Sequence, residues 1–368
     1  MGQVAVLFGG PSPEHDVSIL TGLSACLELS RAGRSVVAIY WSKTGAFHAV
    51  DPTSEAEDFC EGVPRGAEPL ALHVGKDGGF ASEGRRGRSH ALALEAVILC
   101  THGGPGEDGS LQGVLDLAGV AYTGPSVAGA ALGMDKLAFT AVVRAAGATT
   151  LDRVALLAAT TDVPFDPPFI VKPRFGGSSI GIDVVGDLAT ARARLGANLH
   201  LAAGAVIEPF RRELRDLQVA VRTYPRFELS AIERPTRREA GAEILDYKDK
   251  YVAGEGMAAA PRELPAVLDD ARAAEVRADA ATVAAACEVR GITRIDFLEG
   301  EGGLYVNEVN TIPGSLSRHL FVDPARGFLE LLDDMVAEAT AMPSRRYETT
   351  GADGTVLRTA GSIAAKLA

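Results

Sequence analysis

Residues 171–182 read Val171-Lys172-Pro173-Arg174-Phe175-Gly176-Gly177-Ser178-Ser179-Ile180-Gly181-Ile182. Two strand-like ends flank a loop of small residues, which lets backbone N–H groups and hydroxyls approach an anion while Lys172 and Arg174 supply charge. The stretch therefore predicts a hairpin that covers phosphate, although a plain flexible hairpin has the same local pattern. It is not a Walker A loop, because GxxxxGK[ST] occurs nowhere in the chain.

Around this hairpin the pattern predicts strands at 169–172, 182–185, 205–208 and 217–222, paired across Gly and charged turns as in an antiparallel sheet. A helical run opens at Met134-Asp135-Lys136 within residues 126–147, and a long Ala-rich helix covers 265–289. The segments 293–298 and 304–310 are joined by Glu299-Gly300-Glu301-Gly302-Gly303, a hairpin signal. Strand side chains alternate faces, so Glu308 and Asn310 point the same way, and the hairpin brings Asp296 across from them. Two carboxylates and an amide oxygen on one face suit a hard cation shared with substrate phosphates, while a solvated polar face is the competing reading.

Toward the N-terminus, the apolar run 4–8, a Gly/Pro loop, a periodic stretch 17–32 and the strand 36–41 predict a βαβ unit of a parallel sheet. A third strand at 96–100 ends in a second Gly-rich loop. Open α/β sheets bind ligands beyond the carboxyl ends of their strands, and Glu14 and His102 both follow such ends. Helix capping is the alternative for Glu14, and a structural histidine for His102. Residues 51–92 are polar and weakly patterned and predict a surface excursion. A helix over 324–341 closes the fold, and 343–368 reads as a loosely organised tail.

The chain has 368 residues, 47% of them hydrophobic, and carries 36 Lys+Arg against 48 Asp+Glu, a net charge of −12. That balance removes the cationic field on which nucleic-acid and anionic-membrane binding rely, leaving room only for a local cationic pocket. The apolar runs fall far short of the roughly 20 residues that span a bilayer, and the first residues lack a signal-peptide pattern. Cys26, Cys60, Cys100 and Cys287 are scattered without a CxxC pair, which predicts reduced thiols in a cytoplasmic protein.

Taken together, these motifs resemble the D-alanine–D-alanine ligases of the ATP-grasp superfamily. The matching blocks are Leu7-Phe8-Gly9-Gly10 with Glu14-His15-Asp16-Val17-Ser18; His102-Gly103 with Gly106-Glu107-Asp108-Gly109; Tyr122-Thr123-Gly124; Met134-Asp135-Lys136; and Val171-Lys172-Pro173 with Gly177-Ser178-Ser179. They continue in Asp246-Tyr247 with Lys250-Tyr251, Arg294-Ile295-Asp296-Phe297, and Asn307-Glu308-Val309-Asn310-Thr311 with Pro313-Gly314. The order is the family's from residue 4 to about 320.

The resemblance implies a three-domain ATP-grasp fold, α/β with an N-terminal Rossmann-like parallel-sheet domain (1–124), a central subdomain with the phosphate-covering loop (125–207), a C-terminal metal-binding domain (208–342) and a tail (343–368). It implies an enzyme that phosphorylates one D-alanine with ATP and lets the amine of a second attack the acyl phosphate, for peptidoglycan synthesis. Asp296, Glu308 and Asn310 would hold two Mg²⁺ ions, with Mn²⁺ as a substitute. Lys136, Lys172, Ser179 and Lys250 would contact the phosphates, Glu208 would sit near the adenine hinge, and Asp216, where the family usually has Glu, would take the ribose.

Glu14 would bind the first ammonium in a network with Ser178 and Tyr251, and His102 would lie near that substrate. Arg294 and the N–H of Gly314 would form an oxyanion site, where each donor is worth roughly 3 kcal/mol. The resemblance also implies a homodimer. One departure stands out. In Ser315-Leu316-Ser317-Arg318-His319-Leu320, His319 occupies the position of a serine that holds the second carboxylate, with Leu320 beside it. This motivates a second reading, an ATP-grasp ligase joining other amino acids in resistance or specialised metabolism. A catalytically silent nucleotide-binding module would be expected to have a broken metal set, which the sequence does not have.

Overall fold

The computed structural model of the protein describes residues 2–75, 77–83, 89–235, 262–342 and 349–367. The strand Gln3–Gly9 pairs in parallel with Val36–Trp41 on one side and Leu94–Leu99 on the other. Val4–Phe8 are buried throughout, as a strand covered on both faces must be. The helix His15–Arg31 packs on this strand so closely that a Cβ on Gly22 would lie 2.4 Å from the Phe8 side chain.

Residues 51–92 depart from the sequence reading. They do not form an excursion but extend the sheet with Glu68–His73, Gly79–Glu83 and Ser89–Ala91, added in antiparallel order beyond Phe47–Val50 to give seven strands. Their pattern was weak because the strands are short and carry few inward residues. Phe59, Leu70 and Phe80 supply the buried apolar contacts.

The predicted antiparallel sheet is two sheets. In the first, Phe169–Pro173 lies between Asp183–Val185 and Ala205–Pro209, with Val154–Leu156 at the far edge. In the second, Arg215–Arg222 pairs with Glu228–Leu229 and with Ile292–Gly300, which forms the expected hairpin with Gly303–Asn310. The Ala-rich helix runs over Asp270–Ala286 and fills the core beneath this sheet with Val276, Ala280 and Val283. The helical run at 126–147 splits into Val127–Met134 and Lys136–Ala145, because Asp135 leaves the helix and caps the second one, accepting bonds from the N–H groups of Leu137 and Ala138.

The helix Phe328–Ala341 returns to the seven-stranded sheet, and its Leu331, Leu332, Met335 and Val336 share a core with Val4–Phe8. Beyond it, Thr355–Thr359 is a short helix with no buried residue. Among the described residues no helix is long and apolar enough to cross a membrane.

Candidate active site

The glycine-rich stretch does form a loop over a cleft. The cleft, open to solvent and about 970 Å³ in volume, lies between the two antiparallel sheets and is lined by Lys136, Lys172, Ser179, Glu208, Asp216, Asp296 and Glu308 among others. Ser178 and Ser179 sit at φ 52° and 59°, a left-handed turn that bends the loop at its tip. Its base is fixed where the Arg174 guanidinium pairs with Asp135, Nε to Oδ1 at 2.8 Å.

Lys172 and Glu208 project from neighbouring strands and meet at 2.9 Å, Nζ to Oε2. Arg153 closes on the other carboxylate oxygen, Nε to Oε1 at 2.6 Å. Burial by itself would raise the pKa of Glu208, but the charges of Arg153 and Lys172 overcome it and bring the carboxyl down to about 2. Lys136 is buried beside them, donates to the Gly176 carbonyl, and lies 3.9 Å from Glu308. Burial, with help from the neighbouring cations Arg153 and Lys172, lowers its pKa. The cleft thus has a cationic floor on one side and carboxylates on the other.

Those carboxylates come from the hairpin. Asp296 lies directly across from Glu308, and Arg294 across from Asn310. The Arg294 guanidinium grips Asp296 with two bonds of 2.6 and 2.9 Å, and Asn310 donates Nδ2 to Asp296 at 3.1 Å. With its nitrogen committed, the amide of Asn310 keeps its oxygen for another partner. Among the described residues no group of three or more Asp, Glu, His or Cys side chains could hold a metal alone. Two carboxylates and an amide oxygen instead fit a hard cation that completes its shell with phosphate oxygens and water.

The loops after the first and last parallel strands reach the same place. Glu14 stands at the start of its helix yet makes no capping bond; its carboxylate accepts a hydrogen bond from Ser178 Oγ. Gly103, at φ 62°, lets the second loop pass beneath, since a Cβ there would lie 2.3 Å from Glu14 Oε2. His102 is buried, with Nδ1 2.7 Å from the Ile312 carbonyl and Nε2 2.8 Å from Thr21 Oγ1. A carbonyl can only accept, so Nδ1 carries the proton. Burial pushes the His102 pKa down to about 4.

Glu107, to which the sequence reading gave no role, accepts from the N–H groups of Gly103 and Ile312 and from Thr311 Oγ1. Desolvation, then the nearby Glu14 charge, raises its pKa to about 7. Glu14, His102, Glu107, Ser178, Arg294 and Gly314 border one small recess.

The segment Gly314–Leu320 turns through three consecutive left-handed residues, Ser315, Leu316 and Ser317, at φ 48–49°. Here the sequence placements diverge. His319 lies against buried Glu233, Nε2 to Oε2 at 3.3 Å, and Arg262 pairs with the other oxygen of Glu233 at 3.0 Å. Leu320 is fully buried in the core of the seven-stranded sheet, where the turn leaves it no surface for a ligand. Tyr251 and Lys250 lie outside the described residues, as do Asp246 and Tyr247. Sequence reasoning missed Arg153 and Glu233. A lone basic or acidic residue in an apolar stretch carried no signal beyond its own incongruity.

Solved structures similar in fold include a D-alanine–D-alanine ligase from Helicobacter pylori, 25% identical, TM-score 0.72, covering 94% of this chain and 100% of that one. VanG D-Ala:D-Ser ligase from Enterococcus faecalis shares the fold at TM-score 0.74 and 24% identity, covering 92% and 99%. The fold is that of the ATP-grasp enzymes. Residues 3–125 match the family model of the D-ala D-ala ligase N-terminus, and 130–328 that of the C-terminus. Curated D-alanine–D-alanine ligases from Bradyrhizobium sp. (strain ORS 278) and Mycolicibacterium vanbaalenii are 31% and 32% identical, covering 94% and 92% of this chain and 97% of each relative. The chain belongs to the D-alanine–D-alanine ligase family.

Proposed function

We propose that this protein is an ADP-forming D-alanine–D-alanine ligase that makes a dipeptide for peptidoglycan synthesis in the cytoplasm. The hydrogen bond from Ser178 to Glu14 carries the reading, because it joins the phosphate-covering loop to the carboxylate facing the recess. A nucleotide over Lys136 and Lys172 would then present its terminal phosphate to an amino acid whose ammonium rests on Glu14.

Asp296, Glu308 and Asn310 would hold two Mg²⁺ ions, which on binding neutralise charge on the transferring phosphoryl group. The first carboxylate attacks the γ-phosphorus, ADP leaves, and an acyl phosphate forms. The amine of the second amino acid then attacks the acyl carbon, inorganic phosphate leaves, and the amine gives up a proton. Arg294 and the Gly314 N–H, both at the recess, would take the charge on the tetrahedral oxygen. His102, neutral at physiological pH, orients through its two bonds and does not carry charge. Ser179 would cover the phosphates, Asp216 the ribose and Glu208 the adenine side. The chain would work as three domains, 1–124, 125–207 and 208–342, and as a homodimer.

A second reading, a ligase for another acceptor amino acid, is favoured by His319, which is paired with Glu233 where the family has a serine. Phosphate release from Mg·ATP with D-alanine alone, then with panels of D- and L-amino acids, tests both, with mass spectrometry of the product. Efficient D-alanyl-D-alanine formation supports the first reading. Turnover only with a different acceptor transfers the protein to the second.

A further inference from the structure

Arg153 lies behind the cleft wall and not in it, with its side chain 4% exposed. Its hydrogen bonds lead toward the site. Nε donates to Glu208 at 2.6 Å, Nη1 to the Lys136 carbonyl at 3.0 Å and to Thr140 Oγ1 at 2.8 Å, and Nη2 to the Asn307 carbonyl at 3.2 Å. One guanidinium thus spans the strand Ala205–Pro209, the helix Lys136–Ala145 and the strand Gly303–Asn310. The last of these bonds falls on the residue before Glu308.

The charge arrangement makes this more than a brace. A Glu208 carboxylate facing Lys172 alone would form a neutral buried pair and quench the lysine's attraction for phosphate. Two cations on one carboxylate leave a net positive charge, and the guanidinium cannot give it up by deprotonation. Since Arg153 is held away from the cleft, the surplus falls to Lys172, which lines it.

We propose that Arg153 is a positioning residue for the nucleotide, neutralising Glu208 so that the Lys172 ammonium stays available to anionic phosphate. The inference rests on the ligase reading only in taking the ligand of this cleft to be a nucleotide.

The test is a double-mutant cycle in the full-length protein, with R153M, R153K, E208Q and R153M/E208Q, measuring Mg·ADP affinity by calorimetry and KM for ATP and for D-alanine. R153M should weaken Mg·ADP binding by about tenfold and raise the ATP KM similarly, with the D-alanine KM nearly unchanged. R153K, which keeps the charge, should recover most of that loss. In the E208Q background, R153M should cost less than about twofold, because there is no carboxylate left to neutralise.

A brace alone would lower thermal stability and kcat and leave nucleotide affinity within about twofold, which overturns the proposal. Equal losses in both backgrounds also overturn it. Should R153M not fold, the neutral, polar R153Q, compared with the wild type and with R153Q/E208Q against E208Q, supplies the same comparison. Absence of D-alanine-dependent turnover in the wild type would defeat the ligase reading, yet leave the Mg·ADP result to decide this one.

Discussion

The two ends of the active site differ in how their side chains are held. On the side proposed for the nucleotide, Lys172, Glu208, Asp296 and Glu308 stand on strands, and each is fixed by a partner in a neighbouring strand or helix. On the side proposed for the acceptor, 314–320 is a tight irregular turn, and its His319 is held from outside the motif by Glu233, which is itself paired with Arg262. A regular strand turns sequence position into direction, so chemistry can be read from spacing. A left-handed turn does not, and there the identity of a residue says little about what it faces.

The sharpest way to break this comparison is Glu308→Ala. Loss of Mg·ATP-dependent turnover by about 10³-fold, with the fold intact by circular dichroism, is expected if the strand carboxylates serve the phosphates. Near-wild-type turnover would remove the metal assignment.

Next come Glu107 and His102, which tie the N-terminal loops to the Thr311–Gly314 segment and titrate in opposite senses. Glu107 has a folded pKa raised to about 7, so its contribution to stability is present in acid and lost as pH rises through 7. His102 has a folded pKa depressed to about 4, so its contribution is present above pH 6.5 and lost as pH falls through 4. Each amounts to up to about 3 kcal/mol, and between pH 4.5 and 6.5 the two slopes oppose. Denaturant titrations across pH should show Glu107→Gln losing stability on acidification more steeply than wild type. His102→Asn should gain it. Parallel curves for both variants would mean that neither group is perturbed as described.

The smallest effect expected is that of His319→Ser. It should change the KM for the acceptor amino acid by about tenfold or less, and the ATP KM hardly at all. Equal shifts in both would place His319 in the shared scaffold and erase the distinction between the two ends.

Much of the molecule was legible because the motif-bearing segments are regular. The hairpin 292–310 turns where its Glu-Gly run predicted, and the register sets Asp296 against Glu308. The stretch 171–182 bends as small residues allow. What escaped was long-range. Glu107 sits within a quoted motif, but its task becomes visible only when Ile312, 205 residues on, donates to it. Arg153 reaches Asn307 across 154 residues, a relation no local pattern encodes. The strands within 51–92 were hidden because a sheet edge buries few side chains and so shows little alternation.

The helix Phe328–Ala341 begins at the last residue of the C-terminal family match, yet its apolar face completes the core begun by residues 4–8. The first and last parts of this chain are therefore not interchangeable parts. A recombinant joining residues 1–125 to a relative's remaining sequence would inherit a foreign lid for its N-terminal hydrophobic face. Exchange between lineages would be tolerated only where the segments around Leu316, Leu320 and 328–341 travel with the N-terminal strands they cover.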